Sequence, residues 1–251
     1  MKIARFEHKG KIVWGSVHDD TIYLLEGDLF EGAKETKEKV PFKNVKLLPP
    51  VLPSKIIGIG LNYKKHIEPS PFKEAPEVPM FFLKAPSSII GHLDPIILPE
   101  SDRVDYEGEM GVVIGKKAKN VKESEALNYI LGCTIVNDVS ARDYLKQDKH
   151  AFARGKGVDT FCPFGPVIAT GLNPENLNIE TRLNGKVVQS GNTKDLLFNN
   201  VQLISFISKF MTLLPGDLIA TGTPDGVGPM KKGDVIEVEV EGIGILKNFV
   251  S

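Results

Sequence analysis

Polar and apolar positions alternate with a period of two in KIARFEH (2–8), KIVWGSV (11–17) and TIYLLEG (21–27). This pattern predicts three half-buried strands joined by tight turns. A charged stretch without apolar periodicity, EGAKETKEKV (31–40), follows. Prolines at 49, 50 and 53 in LLPPVLPSK then predict a linker. It would join a small N-terminal β unit, with the linker residues 1–50, to a main body spanning 51–251.

The main body opens with KIIGIGLNY (55–63), a buried strand running into a polar turn. PMFFLKAPSSIIGHLDPIILP (79–99) is apolar but broken by prolines, which suits short strands and turns. NVKESEALNYILGCTIVNDVS (120–140) opens as a helix, with Asn120 as cap and Glu123 three residues on. It then becomes the strand GCTIVND (132–138), and SARDYLKQ (140–147) reads as a helical turn. The clearest helix lies in NNVQLISFISKFMTLLPGD (199–217). There Val201, Ile204, Phe206 or Ile207, and Phe210 or Met211 have helical spacing, and Pro215-Gly216 stops the helix. The C-terminal GDVIEVEVEGIGILKNFVS (233–251) alternates as strands. Many short strands and few helices define a β-rich α+β fold.

Composition narrows the function classes. The 31 Lys plus Arg nearly balance the 32 Asp plus Glu, which argues against a nucleic-acid or membrane-surface partner. No apolar run has the length of a signal-peptide core or a membrane span, so the expected address is cytoplasmic. Cys133 and Cys162 lie far apart in apolar surroundings and read as buried thiols. GIGLNY lacks the third glycine of a dinucleotide fingerprint, and TGTPDGVGP (221–229) lacks the Lys-Ser/Thr of a P-loop. GxSxG and HExxH are absent as well.

One stretch carries candidate chemistry. In RVDYEGEMGVVIGKK (103–117), Glu107 and Glu109 point to one face of a strand. Spacing alone proves little, because Glu237, Glu239 and Glu241 share it. There Ile236, Val238 and Val240 fill the opposite face, as in a half-solvated antiparallel strand. After Glu109, by contrast, both faces turn apolar: Gly111 and Val113 on one, Met110, Val112 and Ile114 on the other. Two carboxylates entering a core need a compensating cation. Gly108 and Gly111 leave room for another group to approach the backbone. Asp138, at the end of an apolar strand, is either a third ligand or a cap on the following turn. All-oxygen ligation favours a hard cation, Mg²⁺ or else Mn²⁺ or Ca²⁺.

GIGLNYKKH (58–66), MFFLKAPSSIIG (80–91), DYEGEMGVVIGKKAKNV (105–121), GCTIVNDVSARD (132–143), RGKGVDTFCPFGPVI (154–168), LNGKVVQSGNT (183–193) and GDLIATGTPDGVGPM (216–230) occur in this order. Together they resemble the fumarylacetoacetate hydrolase family. The resemblance implies a rolled-sheet catalytic domain, a homodimer, and a divalent metal held by Glu107, Glu109 and Asp138. It makes His66 the catalytic histidine, and it matches Lys156 and Thr223 to the lysine of KGxDT and the threonine of TGTP. Tyr63 and Gly222 fall in the same motifs and join Thr223 as expected substrate-binding residues. Arg142 is expected either to hold a substrate carboxylate or to pair with Asp105 or Asp159.

Family members act on small 2-oxo or 1,3-dicarbonyl acids, and their reactions share negative charge developing on an enolate oxygen. A divalent cation stabilises such charge as a Lewis acid. The implied activity is an isomerase of the 2-hydroxyhepta-2,4-diene-1,7-dioate type or an acylpyruvate-type hydrolase. Rivals are an oxaloacetate-type decarboxylase, a sugar-acid dehydratase, and a metal-binding scaffold without catalysis. The sequence departs from the family at two places. Relatives commonly carry a glutamate three residues after the histidine, where this chain has Pro69, leaving Glu68 or Glu74 to partner His66. Leu145 stands where several relatives have glutamine. Both departures favour proton transfer over water-activated cleavage. IEPSPFKEAPEVP (67–79) is expected to order over bound substrate.

Overall fold

The computed structural model describes residues 1–64 and 74–251. The three N-terminal alternating stretches form Lys2–His8, Lys11–His18 and Thr21–Glu26. The charged stretch after them also forms a strand, Lys34–Pro41, at the margin of the sheet. Its charges serve an edge: Glu38 pairs with Lys9 at 2.6 Å and Glu35 with His18 at 2.7 Å.

This hairpin series is continuous with the main sheet. Lys2 and Ile3 pair with Ala169 and Ile168 of Cys162–Ala169. From there the order runs through Ile130–Asn137, Gly108–Ile114, Leu218–Ala220, Ile56–Gly60 and Met80–Lys84. The proline stretch is packed rather than loose: Val51 is buried. Trp14 Nε1 donates to the Pro50 carbonyl at 2.9 Å and Arg5 to that of Pro49 at 3.2 Å. A smaller sheet carries Asn178–Leu183, Val235–Val240 and Gly244–Val250, and a third carries Val104–Tyr106.

Gly108–Ile114 is buried along its whole length, as its apolar continuation predicts. Met110, Val112 and Ile114 share one cluster with Ile135, Leu203, Ile204 and Ile207, while Val113 enters another with Val136, Phe164 and Leu218. The helix Asn200–Phe210 covers the first cluster and begins with a capping box between Asn199 and Gln202. Its inward stripe is Leu203, Ile204 and Ile207, whereas Phe210 is exposed. It ends at Phe210, before Pro215, because Met211 turns extended and Leu213 bridges to Ala118.

The expected helix from Asn120 is a 3₁₀ segment, Glu123–Tyr129, with no side-chain cap. Asn120 instead adopts φ 53°, and its N–H donates to the Ser208 carbonyl at 3.0 Å. A tertiary bond to the long helix thus overrides the local capping signal. Cys133 and Cys162 are buried free thiols, both pushed up to about 12 chiefly by burial. Among the described residues no helix is long and apolar enough to cross a membrane.

Candidate metal centre

Strand register assembles the acidic site. Gly108 pairs with Asn137 and Glu109 with Val136, so Glu107 and Asp138 meet just beyond the paired ends. The ladder breaks there in a defined way. Glu107 N–H donates to Asn137 Oδ1 at 2.9 Å, and Asp138 N–H donates to the Glu107 carbonyl at 2.9 Å. On the other flank Gly111 pairs with Ala220, which lays Thr221, Gly222 and Thr223 along the Gly108–Met110 backbone. Thr221 N–H reaches the Met110 carbonyl at 3.1 Å, and Gly222 N–H reaches Glu109 Oε2 at 2.8 Å.

One oxygen each of Glu107, Glu109 and Asp138 lies within 4.8 Å of the others, and all three residues are buried. Among the described residues three cations stand around them. Lys156 Nζ lies 2.5 Å from Asp138 Oδ2 and 3.0 Å from Glu107 Oε2. Lys84 Nζ lies 2.5 Å from Asp138 Oδ1 and donates to the Val139 carbonyl at 3.3 Å. Arg142 spans Asp105 Oδ2 at 2.7 Å and Glu107 Oε1 at 2.6 Å. Arg103 takes the other side of Asp105, donating from Nε to Oδ1 at 2.8 Å and from Nη2 to Oδ2 at 3.1 Å.

Burial pushes the Glu109 carboxyl well above the usual carboxylate range, and the neighbouring Asp138 and Glu107 charges add to the shift. Burial by itself would lower the Lys156 ammonium. Asp138 and Glu107 together outweigh it and hold the pKa above the ordinary lysine value. Beneath this ammonium lies the Phe82 ring, with its centroid 4.9 Å from Nζ, and Phe82 stacks on Phe152.

The donor set passes a chemical test for a hard divalent cation. Its three oxygen donors converge within 4.8 Å, two from the start of one strand and one from just past the end of its neighbour. Glu109 is desolvated beside two like charges, the condition that a bound cation relieves.

Lys156 is therefore a buried group of the site and not a surface lysine. Arg142 takes the ion-pair alternative with Asp105 and also grips Glu107. Two of the residues expected to bind substrate have internal partners. The Gly222 N–H is engaged by Glu109. The Thr223 hydroxyl donates to the Gly108 carbonyl at 2.8 Å and accepts from Gln189 Nε2 at 2.8 Å. Tyr63 differs: its hydroxyl is buried without a hydrogen-bond partner among the described residues. Burial, then the charges of Glu109 and Asp195, raise its pKa. The room at Gly108 and Gly111 is taken by the protein. A Cβ on Gly108 would stand 2.1 Å from Thr181 Oγ1, and one on Gly111 would stand 2.7 Å from a Val136 methyl. His66, Glu68 and most of the expected substrate-ordered loop lie outside the described residues.

Lys84 and Asn62, outside the expected set, also belong to the site. The signal for Lys84 was a lone charge in the apolar run MFFLKAP, since lysine is rarely buried unless paired. Asn62 donates to the Thr221 carbonyl at 2.8 Å and accepts from Phe198 N–H at 2.9 Å, fastening the turn that holds Glu109.

A strand-dominated fold with a buried acidic triad beside paired lysines defines the class. A sequence model described as fumarylacetoacetate (FAA) hydrolase C-terminal matches residues 55–251, and one described as Rv2993c-like, N-terminal matches residues 1–50. The chain belongs to the fumarylacetoacetate hydrolase family. It is 44% identical to the mitochondrial oxaloacetate tautomerase Fahd2a of Rattus norvegicus over 223 residues, covering 84% of this chain and 71% of that protein. It superposes with a TM-score of 0.93 on a 5-carboxymethyl-2-hydroxymuconate delta-isomerase from Mycobacterium smegmatis. The two are 42% identical, with 100% of this chain and 99% of the other covered. A 2-hydroxyhepta-2,4-diene-1,7-dioate isomerase from Mycobacterium marinum gives a TM-score of 0.93 at 39% identity, with 100% and 98% covered.

Proposed function

We propose that the protein is a Mg²⁺-dependent enzyme that moves a proton between carbon and oxygen in a small 2-oxo dicarboxylic acid, as an isomerase or tautomerase. The observation that carries this reading is the triad of Glu107, Glu109 and Asp138, gathered within 4.8 Å and buried. These residues would hold the cation, which when bound supplies Lewis-acid stabilisation of the charge developing on the oxo oxygen.

The chain's own groups prepare that site. Gly222 N–H holds Glu109, while Lys156 and Arg142 hold the two oxygens of Glu107. The Lys156 ammonium adds fixed positive charge, and the Phe82 ring keeps water from its underside. The buried Tyr63 hydroxyl is assigned to a substrate oxygen. His66 is assigned the proton at the carbon beside the oxo group. Pro69, in place of the glutamate that partners this histidine in hydrolytic relatives, supports proton transfer over cleavage. The tautomerase and isomerase names carried by relatives at 39–44% identity point the same way.

The test is a titration of Mg²⁺ into chelator-stripped protein, followed by an ultraviolet assay of enol–keto conversion. Oxaloacetate, 2-hydroxyhepta-2,4-diene-1,7-dioate and acylpyruvates form the panel. Mg²⁺-dependent interconversion of a dicarboxylate is expected. Cleavage of an acylpyruvate without interconversion of any dicarboxylate would make the protein a hydrolase instead.

A further inference from the structure

Lys84 is buried at a high electrostatic cost. Its side chain has no exposed surface, and it occupies an inward position of Met80–Lys84, where the strand alternates with exposed Leu83. An apolar side chain would fit that position without desolvating an ammonium. Nor does Asp138 need Lys84 merely to be partnered, because Lys156 already stands 2.5 Å from its other oxygen. A second buried ammonium on one carboxylate therefore calls for a reason beyond satisfying it.

The charge of the whole cluster supplies one. Among the described residues, Glu107, Glu109 and Asp138 face three cations, Lys84, Lys156 and Arg142, and beyond them Asp105 is matched by Arg103. With all three carboxylates ionised, as a bound cation would hold them, these groups balance one another, and a divalent cation would leave them with two positive charges. Without Lys84 the excess would be one. In so buried a site the difference is weakly screened.

We propose that Lys84 is a positioning residue that sets the charge of the acidic site. Through Asp138 it weakens the triad's grip on a divalent cation and leaves the loaded site with an excess charge matched to a dianionic oxo acid. The substrate half of this inference rests on the dicarboxylate reading above. The cation half stands on the geometry alone.

Two substitutions separate charge from packing. Lys84→Met removes the charge and the hydrogen bonds, whereas Lys84→Gln retains a donor for Asp138 and the Val139 carbonyl but carries no charge. Calorimetry with Mg²⁺ on chelator-stripped protein should show binding tightened by on the order of tenfold or more in both variants. Lys84→Arg should stay near wild type. With Mg²⁺ bound, malonate, a dianion, should bind at least about tenfold more weakly to Lys84→Gln, while pyruvate, a monoanion, should lose less. KM for the dicarboxylate should rise more than kcat falls.

A merely structural lysine predicts the opposite sign, with weakened Mg²⁺ binding in Lys84→Met and rescue by Lys84→Gln. That pattern, or unchanged Mg²⁺ affinity in Lys84→Gln, overturns the proposal. Should Lys84→Met not fold, the Gln and Arg variants decide the matter. Tightened Mg²⁺ binding with no oxo acid turned over would sink the catalytic reading and support the charge-setting role. Turnover with unmoved Mg²⁺ affinity would do the reverse.

Discussion

Two strands in this molecule carry glutamates one residue apart, and their fates are opposite. In Val235–Val240 the apolar residues Ile236, Val238 and Val240 are buried, while Glu237 and Glu239 face Lys247 at 2.9 Å and Arg182 at 2.7 Å on a half-exposed surface. At the start of Gly108–Ile114, Glu107 just before the strand and Glu109 within it are buried and gather with Asp138. The two strands also touch, since Gly108 lies against Val238 and Thr181. The spacing of carboxylates is therefore silent about their chemistry. The residues C-terminal to them decide it: one strand keeps its alternation and stays half in water, whereas the other loses it and enters the core.

The contrast is broken most sharply at Glu109. Glu109→Ala should abolish both Mg²⁺ binding and turnover of the dicarboxylate, measured by calorimetry and the ultraviolet assay on the same preparation. A variant that still binds Mg²⁺ and turns over normally would show that the buried pair is not the metal site. Next in size is the effect of the cation on stability. A ligand that binds only the folded state, present at about a hundred times its Kd, adds about 2.7 kcal/mol. Mg²⁺ should raise the melting temperature of stripped wild-type protein accordingly and leave Glu109→Ala unmoved. Equal shifts in the two proteins would mean that the stabilising ion sits elsewhere.

The contact between the strands offers a third test. Gly108→Ala would put a methyl 2.1 Å from Thr181 Oγ1 and 3.0 Å from Val238. Overpacking of this kind costs about 1–3 kcal/mol, and chemical denaturation should register that loss. Because the displaced backbone carries Glu107 and Glu109 on either side, Mg²⁺ affinity should fall with it. Unaltered stability would mean that the smaller sheet yields at no cost and does not brace the acidic pair.

Much of this was legible in the residues. Alternation located the N-terminal and C-terminal strands, and helical spacing located Asn200–Phe210. The loss of alternation after Glu109 located the strand that enters the core. Partners distant in sequence were not legible. Lys84 reaches Asp138, 54 residues on, only because the sheet brings Met80–Lys84 and the end of Ile130–Asn137 to the same place. The occupants of the space at Gly108 lie 73 and 130 residues further on, Thr181 and Val238. Lys34–Pro41 shows no period of two because an edge strand tolerates charge on both faces. Asn120 looked like a cap, but the long helix claimed its N–H. Thr223 and Gly222 looked like substrate donors because the motif places them at the site. In the structure the Gly222 N–H goes to Glu109 and the Thr223 hydroxyl hydrogen to the Gly108 carbonyl.

The smallest effect belongs to the other half of the comparison. Glu239 accepts from Arg182 at 2.7 Å with 43% of its side chain exposed, and Arg182 has Glu180 as a second partner. An exposed pair of this kind contributes about 0–1 kcal/mol, because solvent screens it and two long side chains must be held still. The second partner makes the loss smaller again, since Arg182 keeps a carboxylate when Glu239 is removed. Glu239→Ala should therefore shift the denaturation midpoint by no more than about 0.5 kcal/mol in equivalent stability, with Mg²⁺ affinity and turnover unchanged. The same substitution at the same spacing would then be nearly silent on one strand and abolish function on the other. A Glu239→Ala variant that lost Mg²⁺ affinity would instead show that the two strands are coupled through Val238 and Gly108, and that the half-solvated strand belongs to the support of the site.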